Sequence, residues 1–377
     1  MALFINNDEV KQILAMRRCL EALEQAYVDL AKGNLVNRPR IDLCATTNDA
    51  ERIYRWGTME AVNARTGYHA IRMKSDIVYW VEHESGTTEE KYCIAPGNFC
   101  GLIFLFSARN GEPLAMIHDG YLTHMRVGAL AALGVKYLAR DQAATLGILG
   151  SGWMARSHLL AIACVRDLKM VKVFSPNKTH REEFAAQMAK VLDIEITSVD
   201  SPRKAVAESN IVAACTDSVT PVLEAAWLEK GMHLTAVKAK GEWGEDVFPK
   251  IDVVFGGEPS RPPLFGTPFK RGQGNFLTYA AGDAAILDRI PRWPEQDSIT
   301  REHPRVVPLA SMIQGKIKGR IGDDEISASA GSGWGGSATS TQGLPFVTLG
   351  AFVYEQARKL GLGKEIPTEL FIQDIRD

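Results

Sequence analysis

The feature that most constrains this chain is Gly147-Ile-Leu-Gly150-Ser151-Gly152-Trp153-Met154-Ala155, an apolar run that ends in glycines and passes at once into a helical pattern. Gly150-x-Gly152-x-x-Ala155 has the spacing of a dinucleotide-binding turn. The first glycine permits the tight turn, the second lets backbone approach a pyrophosphate, and the small Ala155 lets the helix pack on the strand. The helix N-terminus adds unpaired N–H donors and a positive dipole end. The same spacing also occurs in plain tight turns, so its context decides. Here it opens an alternation: a helix over 154–166, then VKVFS, THREEFAAQMAKVL, IEITSV, PRKAVAES, NIVAACT, LTAVKA and IDVVFGG. Strands alternating with helices predict an α/β fold with a Rossmann-type, doubly wound parallel sheet, and with it dinucleotide binding.

The rest of the chain reads differently. Residues 8–32 carry apolar side chains near a 3.6 period and predict one helix, capped by Asn7 and ended by Gly33. Between 40 and 110 the pattern shortens to strand-like runs, IRMKSDIVYW, FCGLIFLFS and PLAMIHDG. Asn110-Gly111 before the last run is a hairpin signal. This part is therefore α+β with a largely antiparallel sheet. LTHMRVGALAALGVKYLAR is a helix of small residues leading into the glycine turn. Residues 258–305, rich in Pro, Gly and Arg, read as a long surface loop, with a lid or dimer arm as the functional alternative. The glycine-rich stretch 331–343 precedes an amphipathic helix, FVTLGAFVYEQARKLG.

A length of 377 residues suits two domains. Lys plus Arg number 43 against 45 Asp plus Glu, a formal charge of −2, which gives no global attraction to nucleic acid or to an anionic membrane. Apolar runs such as 102–106 are too short to span a bilayer, and the MALFINNDEVKQ start does not read as a secretory signal. The six cysteines (19, 44, 93, 100, 164 and 215) form neither a CxxC pair nor a zinc spacing. They read as reduced thiols of a cytoplasmic protein without a metal site.

Several polar residues stand out. Alternation puts Arg72, Lys74 and Asp76 on one strand face. Buried beside other cations, Lys74 would exchange protons near neutral pH, although spacing alone favours an ordinary exposed, charged face. Arg40 and Arg126 can hold a carboxylate, or simply pair at the surface. The second strand of the alternation ends in Ser175-Pro176-Asn177, with no acid to grip the ribose 2′-hydroxyl of NAD. Lys178 and Arg181 could meet the 2′-phosphate of NADP or be solvated charge, a slight lean to NADP.

The strings RMKSD, HDGYLTHMRVGALAA, GILGSGWMARSH, VFSPNKTHREEFA, TPVLEAAWLEKGMHLTAV and GRIGDDEIS occur in the order found in the ornithine cyclodeaminase/mu-crystallin family. The chain resembles that family from about residue 35 to 260 and again from about 309 onward. The resemblance implies a substrate-binding and dimerisation domain, residues 1–122 completed by 320–377, and a dinucleotide-binding domain, 123–319, in a homodimer. It also implies hydride chemistry at the α-carbon of a small amino or imino acid. By position, Arg40 and Arg126 look like the carboxylate clamp and Lys74 like the acid/base. Thr123 lies where the family approaches the cofactor, and Gly150, Ser151, Gly152, Trp153 and Met154 look like the pyrophosphate turn. Ser175 and Lys178 look like the adenosine end, and Thr216 borders the nicotinamide.

One departure matters. Cyclodeaminases carry an Asp after the strand LTAV that engages the second amine of the substrate, and here Lys240 falls at about that place. Several unpaired cations (Arg40, Lys74, Arg126, Lys240) would favour a substrate with more than one negative group, whereas a one-residue slip would bring in Glu242 and reverse the sign. The expected activity is an NAD- or NADP-dependent imino-acid reductase or amino-acid dehydrogenase. The alternatives are a cyclodeaminase-type lyase recycling NAD, and a non-catalytic NADPH-dependent binder.

Overall fold

The computed structural model describes residues 1–38, 40–84, 86–255, 269–271, 277–280, 305–330 and 342–375. For Lys240, Ala330 and the two segments 269–271 and 277–280 it describes the backbone alone. The expected single N-terminal helix is two, α1 (Asn7–Ile13) and α2 (Met16–Ala31). Between them Leu14 is extended (φ −96°, ψ 97°) and fully buried, so the chain leaves the helical path to seat this side chain in the core. The cap is Asn6 rather than Asn7. The Asn6 side chain accepts the Asp8 and Glu9 N–H groups while Glu9 reaches back to the Asn6 N–H. Asn7 instead accepts the Tyr121 N–H at 2.8 Å, tying α1 to a later helix.

The first sheet is built from β1 (Ala2–Ile5), β2 (Leu35–Asn37), β3 (Ile41–Thr46), β4 (Ile53–Asn63), β5 (Tyr68–His83), β6 (Gly86–Tyr92), β7 (Gly101–Ser107) and β8 (Pro113–His118). The Asn110-Gly111 turn joins β7 to β8, with Gly111 at φ +77°. Chain-distant strands also join this sheet. β19 (Lys364–Ile366) pairs with β1, and β16 (Leu277–Ala280) pairs parallel with β3 and antiparallel with β15 (Phe269–Arg271). These last two correct the expectation of an irregular 258–305; the rest of that stretch lies outside the described residues, as does 331–341.

The helix α3 (Gly120–Leu138) then carries the chain to the second sheet. Its small residues let α4 (Trp153–Ala163) cross closely: a Cβ on Gly128 would run into the Ser157 backbone. The strands are β9 (Thr145–Leu149), β10 (Met170–Phe174), β11 (Glu195–Ser198), β12 (Ile211–Ala214), β13 (His233–Ala236), β14 (Val253–Phe255), β17 (Val306–Val307) and β18 (Ser327–Ala330). Among the described residues their order is β11-β10-β9-β12-β13-β18-β14-β17, and every pair is parallel. The helices α5 (Lys178–Leu192), α6 (Pro202–Val206) and α7 (Ala239–Glu242) fall in its connections. The order reverses between β9 and β12, which places a crevice at their C-terminal ends, directly past the glycine turn. Near the chain end the helix Leu344–Leu360 buries Leu344, Phe346, Val347, Leu349, Val353 and Tyr354 against the first sheet. Among the described residues no helix is long and apolar enough to cross a membrane.

Candidate active site

A cavity of about 1770 Å³ lies between the two sheets, with the glycine turn on one wall and the β3–β4–β5 face on the other. On the latter wall the strand register aligns Asp42, Gly57, Lys74 and Gly101 across β3, β4, β5 and β7. Glycine on both sides leaves Lys74 in a trough. A Cβ on Gly57 would overlap Asp42 Oδ1 and sit 3.3 Å from Lys74 Cε. Arg72, Lys74 and Asp76 do share one face, and all three are buried, so the exposed-face alternative falls.

Four cations of this wall have a carboxylate partner. Lys74 pairs with Asp76 and Arg72 with Asp119. Arg40 Nε meets Asp42 Oδ1 at 2.6 Å, and Arg55 holds Glu89 through two bonds of 3.0 and 3.3 Å. Burial, then Arg55 and Arg40, hold the Lys74 ammonium well below the usual lysine range, with Asp76 pulling the other way. Burial would raise the Asp76 carboxyl, but Lys74 and its neighbouring cations hold it below the ordinary carboxylate value.

Arg126, in the second turn of α3, differs. Its guanidinium packs 5.0 Å from the Phe346 ring centroid, with Arg72 at 5.3 Å from the same ring. Its buried Nε has no hydrogen-bond partner among the described residues. Burial and Arg72 bring its pKa down to about 9, an environment relieved by an incoming anion.

The premise of several unpaired cations is therefore corrected. Arg40 and Lys74 are each matched by an acid two residues along the chain, so these two do not call for a second substrate carboxylate. Lys240 falls in α7, and its side chain lies outside the described residues. Glu242 is fully buried and turned away from the cavity, accepting Thr216 N–H (2.5 Å), Thr216 Oγ1 (2.8 Å) and Lys238 N–H (2.7 Å). Its role is to shape the loop that presents Thr216 to the cavity.

On the other wall Gly150 adopts φ +111°, and a Cβ there would overlap the Cys215 carbonyl. Gly152 caps α4, and a Cβ there meets nothing within 4 Å. The first glycine is thus required by the protein, while the second keeps space open before a helix N-terminus. Ser151 Oγ lies 3.0 Å from Ser175 Oγ, and Met154 lines the cavity. Trp153 is 57% exposed and stacks on His124, ring centroids 5.7 Å apart. Thr123 Oγ1 donates to Asp119 at 3.2 Å. Lys178 is exposed and pairs along its own helix with Glu182 at 3.8 Å, while Arg181 donates to the Ser175 carbonyl at 2.9 Å. These residues fit a nicotinamide dinucleotide: positive-φ turn, open cradle, unpaired helix N–H groups and no acid at the end of β10.

Sequence reasoning missed Asp42, Arg55, Glu89 and Asp119. Strand alternation could have found Arg55 opposite Asp76. No local signal links Arg72 to Asp119, because strand pairing alone brings them together.

This geometry defines a two-walled site of dinucleotide-binding type, and the known proteins that the chain resembles agree. Residues 2–251 match the Ornithine cyclodeaminase/mu-crystallin family, and the chain belongs to it. A Delta(1)-pyrroline-2-carboxylate reductase of Bacillus cereus is 27% identical over 270 residues, 71% of this chain and 74% of that protein. Among solved structures, the Delta(1)-pyrroline-2-carboxylate reductase of Thermococcus litoralis in complex with NADH and L-proline superposes with a TM-score of 0.72. It is 22% identical and covers 97% of this chain and 100% of that one. An archaeal alanine dehydrogenase dimer with bound NAD gives 0.71 at 20% identity, covering 97% of this chain and 99% of that one.

Proposed function

We propose that the protein is an NAD- or NADP-dependent oxidoreductase acting on the C=N or CH–NH₂ bond of a small imino or amino acid. The observation that carries this reading is Lys74, buried and paired with Asp76 on one wall of a cavity whose other wall is the glycine turn. Arg126 and Arg40 hold the substrate carboxylate, Arg126 first because its Nε has no other partner among the described residues. Lys74 holds the proton at the substrate nitrogen, and its lowered pKa eases release of that proton. Gly150, Ser151, Gly152, Trp153 and Met154 carry the pyrophosphate, Ser175 and Lys178 the adenosine end, and Thr123 and Thr216 the nicotinamide side. A bound nicotinamide supplies hydride to the α-carbon or takes it up there.

The first sheet, with residues 1–122 and with 320–377 apart from β18, forms the substrate and dimerisation unit; residues 123–319 apart from β15 and β16, together with β18 of the second sheet, form the dinucleotide unit. Homodimerisation is supported by the dimeric neighbour, and a cytoplasmic location by the reduced cysteines. The test is steady-state consumption of NADH and NADPH with cyclic imino acids and with keto acid plus amine, and the reverse with amino acids. Turnover with at least one imine–cofactor pair is expected. Dinucleotide binding without turnover on any of them would overturn the reading. Sedimentation as a monomer would remove the dimer.

A further inference from the structure

The two walls of the cavity touch along β6. Thr88 bridges antiparallel to Ser218, the Val219 N–H donates to the Thr87 carbonyl at 2.8 Å, and the Glu89 N–H donates to the Asp217 carbonyl at 3.2 Å. The same Asp217 carbonyl accepts from the Lys238 ammonium at 2.9 Å, so this side chain of the nucleotide wall ends beside β6. The β5–β6 register sets Glu89 against Trp80 and Lys91 against Val78. Directly opposed residues share a sheet face. That face is the one of Lys74 and Asp76, since Arg55, which pairs with Glu89, lies opposite Asp76. Lys91 and Lys238 both line the cavity. Among the described residues neither ammonium pairs with a carboxylate. Glu89 is taken by Arg55 and Asp76 by Lys74. Glu242 accepts the Lys238 backbone N–H rather than its ammonium, and Asp217 offers its carbonyl, not its exposed carboxylate. Lys91 is open to the cavity but enclosed by its walls: burial lowers its ammonium, Glu89 and Asp76 raise it, and Arg55 and Lys238 lower it.

We propose that Lys91 and Lys238 form a second anion subsite, and that the substrate is an imino or amino acid carrying a second carboxylate at the far end of its chain. The inference rests on the reading of Arg126 and Lys74 given above. Arg72, Lys74, Asp76 and Val78 follow one another along one face of β5. The first carboxylate lies toward Arg72, which shares the Phe346 ring with Arg126, and the reacting nitrogen lies at Lys74. Lys91 stands across from Val78, farther along the same line. From Lys74 to Val78 is about 13 Å of strand at about 3.3 Å per residue. A short side chain would leave the two lysines unmet, whereas an extended acidic one reaches toward them and supplies the charge that no acid of the protein gives. Arg40 and Lys74 are neutralised from within the fold, so the demand for a second negative group arises at Lys91 and Lys238 instead.

The test is calorimetry on the full-length protein saturated with NAD or NADP, with non-reacting acids as probes: glutarate and adipate against pentanoate and hexanoate. The wild type should bind each diacid about tenfold or more tightly than the monoacid of the same length, the share of a charge-assisted contact. Lys91→Met and Lys238→Met should each bring that ratio toward one, Lys91→Arg should keep it, and Lys91→Glu should reverse it. A diacid that binds the wild type no better than its monoacid overturns the proposal. So does a ratio that survives both Met variants, or a loss confined to dinucleotide affinity, which would assign the two lysines to the cofactor. The wild-type comparison holds even where a variant folds poorly. Because the readout is binding without turnover, failure of the oxidoreductase reading would look different: no turnover on any imine, with the preference for diacids kept.

Discussion

The two walls of the cavity are built by opposite means. The nucleotide wall is made of backbone: a turn at Gly150, a helix N-terminus at Gly152, and a loop held by Glu242, much of it within a few consecutive residues. The substrate wall is made of side chains from separate strands, brought into register by pairing, and nearly every cation on it carries its own acid. A backbone site tolerates sequence change around a few fixed glycines. A paired side-chain site is sensitive at each member, because removing one charge strands its partner in a buried place. The two walls should therefore fail differently on mutation: the first in cofactor affinity, the second in turnover, substrate affinity and pH dependence.

The largest expected effect is at Lys74. Lys74→Met should lower turnover by about 10² or more while cofactor affinity, read by calorimetry, changes little, since proton transfer typically contributes that factor. Equal losses in both readouts would erase the distinction between the walls. Next comes Arg126→Ala. Loss of a charge-assisted contact worth about 1.5–3 kcal/mol should raise KM for the imino acid by roughly 10- to 100-fold. A change confined to kcat would take Arg126 out of carboxylate binding.

On the backbone wall, Gly152→Val should weaken dinucleotide binding by on the order of tenfold or more, because its side chain fills the space kept for the pyrophosphate. The melting temperature should stay near wild type, since a Cβ there meets no protein atom within 4 Å. Gly150→Val should instead lose stability outright, with φ +111° and the Cys215 carbonyl in the way. The same outcome for both would show that the two glycines are not divided between cofactor and fold.

How much of this was legible beforehand follows from the same division. The glycine turn and the alternation after it are local patterns, and the second sheet lies where they indicate. The face shared by Arg72, Lys74 and Asp76 was legible from alternation, but its burial was not, because what covers it comes from elsewhere in the chain. The carboxylates that neutralise Arg40, Arg55, Arg72 and Lys74 left no mark as a set, so counting cations alone misjudged the charge of the site. The break at Leu14 and the strands at 269–280 were likewise products of tertiary packing.

A smaller effect concerns pH. Lys74 is held below the ordinary lysine value, so the unfolded chain binds this proton more tightly than the fold. Its contribution to stability is present above the unfolded lysine pKa and is lost as pH falls toward the lowered folded value. In the reductive direction the protonated form is needed, so kcat should fall as pH rises through that lowered value. Asp76 favours the charged lysine, so Asp76→Asn should move this limb to lower pH. A limb that does not move would separate Asp76 from the acid. The smallest effect is at Lys178, which is exposed and paired along its own helix; Lys178→Gln should change affinity for either cofactor by about twofold or less.

The measurement that bears most directly on a site spanning both walls is a paired one on Lys74→Met: calorimetric affinity for NAD and NADP, and single-turnover oxidation of the bound reduced cofactor by an imino acid that the wild type reduces. Retained dinucleotide affinity with oxidation slowed by about 10² or more is the predicted result. Oxidation at the wild-type rate would contradict it, leaving Lys74 a buried structural cation and the cavity without its acid.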